Sequence, residues 1–350
     1  MKTQVRESKV MSHEQPSMID LVQSKGPPSF GRAAELFGVA QKVLALSAVN
    51  HDDKIVVLTD TRSHKEIAEA FFGAGLALGA DTVVLMGQPL KSLGDPNEWT
   101  LSYLRGADLV INLLSMEWGK QPGAKSLLQA GVRVIMCAET PNTLLKMPPS
   151  EKVMSRVKKF VELINHSTFV RVKSAGGTDV QWKRKEGEKA TYLSGILEPT
   201  NGEKWTNFPN SVVSYPFDQS SGKGTIVMDP GDCVLHLAYI LREPIRMTIE
   251  GSKIVEVNGG VDAELLKKKW FNRWNDPLQY ELLHLDFGCD HRAEVLPGIF
   301  APMEWESYAG GVLFGFGPNT HLDVMLTNQN VWFDDLQMIK DGEIVHPDLL

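Results

Sequence analysis

The chain is poor in the features that tie a protein to a membrane, a secretory route or a nucleic acid. Its 350 residues hold three cysteines, Cys137, Cys233 and Cys289, with no CxxC spacing, which argues against a disulfide framework and fits a reducing compartment. No run of 18 apolar residues is present, and Met1 to Gln15 is polar without an apolar signal core; a cytoplasmic protein is expected. The formal net charge of -7, a pI near 5.8 and the absence of a long basic run give no general attraction to nucleic acid or anionic membranes, so a small molecule is the expected partner. Nucleotide signatures are missing too. The turn after the first strand reads Asp60-Thr61-Arg62-Ser63-His64, with neither GxGxxG nor GxxxxGK[ST]. Gly73, Gly75 and Gly79 fall within or at the end of the next helix, where packing and a C-cap explain them, and no dinucleotide cofactor is expected.

What is present divides by pattern. A hydrophobic content of 43% over 350 residues supports a large core and favours two domains over one. Residues 1–28 read as a polar extension, in which Met18 to Val22 could begin a docking helix. From 29 to 166 the chain alternates helical and strand periodicity: a helix over Gly31–Leu46, strand Lys54–Thr59, helix Lys65–Leu78, strand Thr82–Met86, helix Trp99–Leu104, strand Asp108–Leu113, helix Ala124–Ala130, strand Val132–Met136 and helix Glu151–Ile164. Continuous apolar strands between amphipathic helices predict an α/β, doubly wound parallel sheet covered on both faces. From 167 to 350 the pattern is β-rich α+β. Strands are expected over Thr168–Val172, Thr225–Met228, Ile245–Ile249, Lys253–Val257, Gly311–Phe316, Thr320–Leu326 and Asn330–Phe333, with a helix over Val261–Trp274 and a final hairpin about Asp341-Gly342.

The polar residues that stand out lie in this second half. In Gly317-Pro318-Asn319-Thr320-His321-Leu322-Asp323-Val324 an imidazole and a carboxylate are two apart inside an apolar run. If the segment is an extended strand, both project from one face. A buried Asp323 needs a compensating cation or full hydrogen bonding, whereas on an edge strand both residues simply face water. His284, in Leu282-Leu283-His284-Leu285-Asp286-Phe287-Gly288, offers a third ligand; alone it reads equally as a hydrogen-bonding histidine. Two histidines and one carboxylate are the set used by non-haem Fe(II) oxygenases. Asp286, Asp290 and His291 either extend such a site or belong to a solvated loop, the reading the sequence favours.

A resemblance is carried by particular segments. Phe271-Asn272-Arg273-Trp274-Asn275-Asp276-Pro277, then Leu283 to Gly288 with Arg292-Ala293, then Gly317 to Asp323, together with Lys173 to Asp179 and Gly224 to Val227, resemble the 2,5-dihydroxypyridine 5,6-dioxygenases of aerobic nicotinate degradation. More distantly the chain is similar to the thermophilic dinuclear metallo-aminopeptidases. The match runs from about Lys42 to the C-terminus and is closest in the β-rich half. It implies Fe(II), with Mn(II) or Zn(II) as alternatives, held by His284, His321 and Asp323, and O2 acting with a hydroxylated aromatic or N-heterocyclic substrate. It also implies a homo-oligomer. Arg292 is placed to stabilise a substrate oxyanion or to form a surface salt bridge.

The departures bear on chemistry. Where the aminopeptidases have a glutamate this chain has His284, and near another it has Val212 and Val213, so one metal is favoured over two. The dioxygenases' histidine after the third strand falls at Glu117, which could act as a base in a dry cleft or be a solvated loop carboxylate. Their substrate-contacting glutamate falls near Tyr192 and another histidine near Asn207; both positions read as substrate contacts or as structural. A ring-cleaving dioxygenase is therefore expected. A metallohydrolase and a non-catalytic binding relative are the alternatives.

Overall fold

The computed structural model describes residues 30–91, 94–116, 118–119, 121–198, 202–273, 276–296, 298–317 and 321–350. The docking helix suggested at Met18 to Val22 lies outside the described residues, and the helix expected over Val261–Trp274 is shorter: its α-helical part ends at Leu266 and a wider turn carries it to Phe271, followed by a turn at Asn272 and Arg273. Elements follow in the order α1 (Phe30–Leu46), β1 (Lys54–Asp60), α2 (Lys65–Ala77), β2 (Asp81–Gly87), α3 (Glu98–Leu104), β3 (Leu109–Asn112), α4 (Pro122–Gln129), β4 (Arg133–Met136), α5 (Pro141–Lys146) and α6 (Glu151–His166). The β-rich part continues with β5 (Phe169–Lys173), β6 (Asp179–Lys183), β7 (Thr191–Leu193), β8 (Trp205–Asn207), β9 (Val212–Ser214), β10 (Lys223–Met228), β11 (Cys233–Val234), β12 (Tyr239–Ile240), β13 (Ile245–Glu250) and β14 (Lys253–Gly259). It ends with α7 (Val261–Leu266), β15 (Leu282–Gly288), α8 (Pro302–Ser307), β16 (Val312–Phe316), β17 (Leu322–Leu326), β18 (Asn330–Phe333), β19 (Leu336–Lys340) and β20 (Glu343–Ile344).

The first sheet is parallel, in the order β2-β1-β3-β4-β8. Its strands are apolar on both faces because each face carries its own core. Ile55, Val57, Leu109, Ile111 and Ile135 pack with α1 and α2 residues such as Leu36, Val43 and Phe71. Val56, Leu58, Val110 and Val134 pack on the other face with Leu101, Leu104 and Leu127 of α3 and α4. This is the doubly wound arrangement expected from the continuous apolar runs. Its fifth strand was not foreseen: Trp205–Asn207, from well beyond residue 166, pairs with β4, so the chain re-enters the α/β layer after the expected boundary. Three residues without an apolar run carry no periodic signal.

The β-rich part is two antiparallel sheets, β14-β13-β10-β6-β5-β18-β19-β20 and β12-β11-β17-β16-β15-β9-β7. Alternation in the second sheet sends Leu282, Leu285, Phe287, Phe314, Phe316, Leu322, Val324 and Leu326 into a core shared with Val153, Val157, Phe160 and Ile164 of α6. Helix α6 starts where the Ser150 hydroxyl accepts from Val153 N–H. Residues on the opposite face of β15, β16 and β17 are thereby turned toward the C-terminal ends of the parallel strands. No helix among the described residues is long and apolar enough to cross a membrane.

Candidate metal centre

Three neighbouring strands place the site. Gly315 of β16 pairs with His284 on β15 and with Asp323 on β17, so one row across the sheet reads Asp323, Gly315, His284. The glycine is required, since a Cβ at 315 would lie 2.1 Å from His284 Nε2. The imidazole therefore lies over the middle strand and reaches the carboxylate on the far one.

His321 arrives differently from the sequence expectation. The strand expected from Thr320 begins at Leu322, and His321 precedes it with φ at +38° and its N–H donated to Gly317 O at 2.9 Å. Simple strand pleating thus does not explain the pair. A non-glycine residue in this left-handed region costs roughly 1–2 kcal/mol and is retained where the side chain is needed. Even so the ring meets the carboxylate: His321 Nε2 is 2.9 Å from Asp323 Oδ1. His284 Nε2 is 3.1 Å from the same oxygen and 2.9 Å from His321 Nε2. The Gly317 lead-in is described only at its first residue; Pro318, Asn319 and Thr320 lie outside the described residues.

The three atoms form a nearly equilateral triangle, and they are a cluster able to hold a metal. Ligands bound at about 2.1 Å and at right angles are about 3.0 Å apart, against about 3.4 Å in a tetrahedron. Edges of 2.9, 2.9 and 3.1 Å are short enough for one ion to reach all three atoms. The charges agree with a cation there. Burial would raise the Asp323 carboxyl, but His321 and His284 outweigh it and hold it well below the usual carboxylate range. Burial likewise disfavours a charged His284, yet Asp286 and Asp323 push its pKa well above the ordinary histidine value. The residues fit a divalent metal.

The triangle opens on a cavity of about 880 Å³. Its far wall is made by the C-terminal ends of the parallel strands: Arg62, Ser63 and His64 after β1, Leu113 to Ser115 after β3, Cys137 to Thr140 after β4, and Trp205 and Asn207 of β8. The order of the sheet reverses between β1 and β3, the position at which such sheets bind ligands. Asp60 pins those two loops together, accepting from Ser115 N–H and its hydroxyl at 2.8 Å and from Arg62 N–H at 2.8 Å. Although burial opposes it, these bonds lower the Asp60 pKa.

Among the expected site residues, the structure brings together His284, His321 and Asp323, and it places Tyr192 and Asn207 on the cavity wall. Asn207 Oδ1 accepts from Trp205 Nε1 at 3.0 Å. Glu117 lies outside the described residues. Arg292 is not brought to the cluster: its Nε and Nη2 hold Asp290 at 2.9 and 2.6 Å, and Nη1 donates to Pro148 O at 2.7 Å. Arg292 therefore makes a salt bridge, to an Asp290 that is 1% exposed. Asp286 is not in a solvated loop either, but buried within β15. Val212, one of the two positions lacking the aminopeptidase glutamate, faces the cavity, while Val213 is in the core.

Three groups went unread. His236, in the short turn Leu235–Leu237, lines the cavity, and its Nδ1 accepts from Asp323 N–H at 3.3 Å. Glu306 of α8 is buried beside the cluster and accepts from Asn210 Nδ2 at 2.7 Å; burial, then the nearby Asp323, pushes its pKa up to about 8. Glu139 lines the cavity after β4, with one carboxylate oxygen unpartnered among the described residues. Only His236, a lone polar residue between two leucines, had a detectable signal.

Fold and site together define a class: a parallel sheet joined to an antiparallel metal-binding part, with a two-histidine, one-carboxylate face on their shared cavity. The sequence pattern of the 2,5-dihydroxypyridine 5,6-dioxygenases matches residues 35–346, and the chain belongs to that family. A 2,5-dihydroxypyridine 5,6-dioxygenase from Pseudomonas putida KT2440 is 27% identical over 346 residues, spanning 90% of this chain and 97% of the relative. The solved structure of 2,5-dihydroxypyridine dioxygenase from the same strain superposes with a TM-score of 0.80 at 25% identity, over 92% of this chain and 99% of that one. AmpT from Thermus thermophilus shares the fold, with a TM-score of 0.64 at 14% identity over 91% and 100% of the two chains.

Proposed function

We propose that the protein is a mononuclear non-haem Fe(II) dioxygenase that opens a hydroxylated N-heterocyclic or aromatic ring of the dihydroxypyridine kind with O2. The observation that carries this reading is the His284, His321 and Asp323 triangle, with edges of 2.9 to 3.1 Å, on the wall of a cavity large enough for a ring. Family membership and the relatives named as dioxygenases support it. When bound, Fe(II) supplies open coordination positions for substrate oxygen and O2 and a path for electrons between them.

The protein's own part is to hold, orient and dry the reactants. Leu113, Leu114, Leu313, Phe300 and Met303 line the cavity with apolar surface, which suits the faces of a flat ring and excludes water. Tyr192 and Asn207 on the same wall offer polar groups to ring substituents. Glu117, a base by sequence alone, is retained in that role. The substrate supplies the electrons, so no organic cofactor is invoked. A homo-oligomer, on the strength of the resemblance, and a cytoplasmic location, on cysteine usage and composition, complete the reading.

The test is anaerobic purification, addition of Fe(II), and measurement of O2 uptake against a panel of dihydroxypyridines and related hydroxylated rings. Uptake with a ring-opened product is expected. No uptake across the panel, together with Zn(II)-supported cleavage of a leucine anilide, would show a metallohydrolase instead. His321→Ala should lose stoichiometric iron; iron retained at one per chain would remove that residue from the ligand set.

A further inference from the structure

Asp286 is two residues from His284 on the same face of β15. It is buried, and it pairs across the sheet with Ser214 on β9 and Leu313 on β16, both of which line the cavity with it. Its Oδ2 lies 2.8 Å from His284 Nδ1. That contact is an ion-pair distance: neither the nitrogen nor Asp286 Oδ1 makes a well-aligned hydrogen bond among the described residues. A carboxylate at this depth is costly unless paired, and the partner it has is the imidazole. The other nitrogen of the ring, Nε2, faces His321 Nε2 and Asp323 Oδ1 at 2.9 and 3.1 Å. One end of the ring thus belongs to the ligand triangle and the other to Asp286.

We propose that Asp286 is a positioning residue for the metal centre: it holds the hydrogen of His284 on Nδ1, so that the Nε2 lone pair faces the ion, and it fixes the ring over Gly315. The inference rests on the metal-site reading and goes beyond it, because it makes a second, non-ligating carboxylate part of the site. An imidazole whose outer N–H is held by a carboxylate has one tautomer and is a more basic donor, and removing such a partner weakens metal binding 10–100-fold. Among the described residues a carboxylate at ion-pair distance from Nδ1 is recorded for His284 and not for His321.

The test uses the full chain. Fe(II) is titrated anaerobically into the wild type, Asp286→Ala and Asp286→Asn, with thermal unfolding of the metal-free proteins as a check on folding. Asp286→Ala is expected to bind Fe(II) about 10–100-fold more weakly, and Asp286→Asn, which keeps the shape and a neutral acceptor, to fall between it and the wild type. Independently of any variant, imidazole ¹⁵N NMR of the wild type loaded with diamagnetic Zn(II) should show His284 with hydrogen on Nδ1 and metal on Nε2. Both variants binding within twofold of wild type, or metal on Nδ1 of His284, would overturn the proposal. Failure of the dioxygenase reading looks different: tight Fe(II) binding that depends on Asp286 with no O2 uptake on any ring.

Discussion

The two walls of the cavity are made of different kinds of structure. On the metal wall, His284, Gly315 and Asp323 occupy central strands whose register is fixed by hydrogen bonding on both sides and whose reverse faces are in the core. On the opposite wall, Arg62, Ser63, His64, Ser115 and Glu139 come from loops after parallel strands. A one-residue slip in the metal wall would invert which side chains face the core, so substitution there is tightly limited. Loops accept change at much lower cost and carry selectivity. The expected ligands come together on the rigid wall, and two of the positions that depart from the dioxygenases, Tyr192 and Asn207, line the same cavity. On the proposed function, gripping the metal and choosing the ring become separable tasks.

The largest way to break this contrast is at Gly315. Gly315→Ala puts a methyl group 2.1 Å from His284 Nε2, and the backbone of a central strand cannot move to admit it. The imidazole must leave the triangle, and Fe(II) affinity should fall by about 100-fold or more, measured by anaerobic titration, with the fold retained by circular dichroism. Wild-type affinity in this variant would mean that the register does not set the site. Next in size is Arg292→Ala, which strands the buried Asp290. Removing one partner of a buried ion pair costs about 3–5 kcal/mol, seen as a melting temperature lower by roughly 10 °C, while Fe(II) affinity per folded chain stays unchanged. A lost turnover rate with unaltered stability would return Arg292 to the chemistry.

Substitutions on the selective wall should act in the opposite sense. Asn207→Ala, on β8 of that wall, is expected to lower kcat/KM for a hydroxylated ring by about tenfold, the scale of one hydrogen bond, with no change in Fe(II) binding; Tyr192→Phe, on the edge strand β7 of the sheet that carries the triangle, should do the same. A fall in metal affinity instead would erase the separation of the two walls.

That separation also explains what could be read from the sequence. The alternation of β1 to β4 with their helices was legible because β1, β3 and β4 are apolar runs buried on both faces and β2, though an exposed edge strand, is also an apolar run. The meeting of His321, Asp323 and His284 was legible because they interrupt apolar segments, where polar residues need a reason. The expected cause was wrong in part, since His321 reaches Asp323 through a left-handed backbone and not through the strand pleat. The selective wall was largely illegible. β8 is three residues long, and Glu139 and Glu306 are placed by tertiary contacts that leave no local period. Asp286 was misread because Asp290 and His291 follow it closely and suggest a polar loop, whereas β15 continues through it.

Glu139 is where the two walls touch, and pH alone tests it. From the loop after β4 its Oε1 accepts from Met303 N–H of α8 at 2.6 Å, and burial, against the opposing pull of that bond, pushes its pKa from 4.5 up to about 8. In the unfolded chain the same carboxyl ionises near its ordinary value. Between about 4.5 and about 8 the folded protein therefore holds a proton that the unfolded chain has released, and stability falls as pH rises through that window. Above it the folded state carries the full cost of a buried carboxylate. Glu139→Gln keeps an acceptor for Met303 and removes the titration. Its melting temperature should match the wild type near pH 4.5 and exceed it by roughly 10 °C at pH 8.5. Parallel pH profiles for the two proteins would show that Glu139 is solvated in solution and that the contact between the walls is looser than the geometry implies.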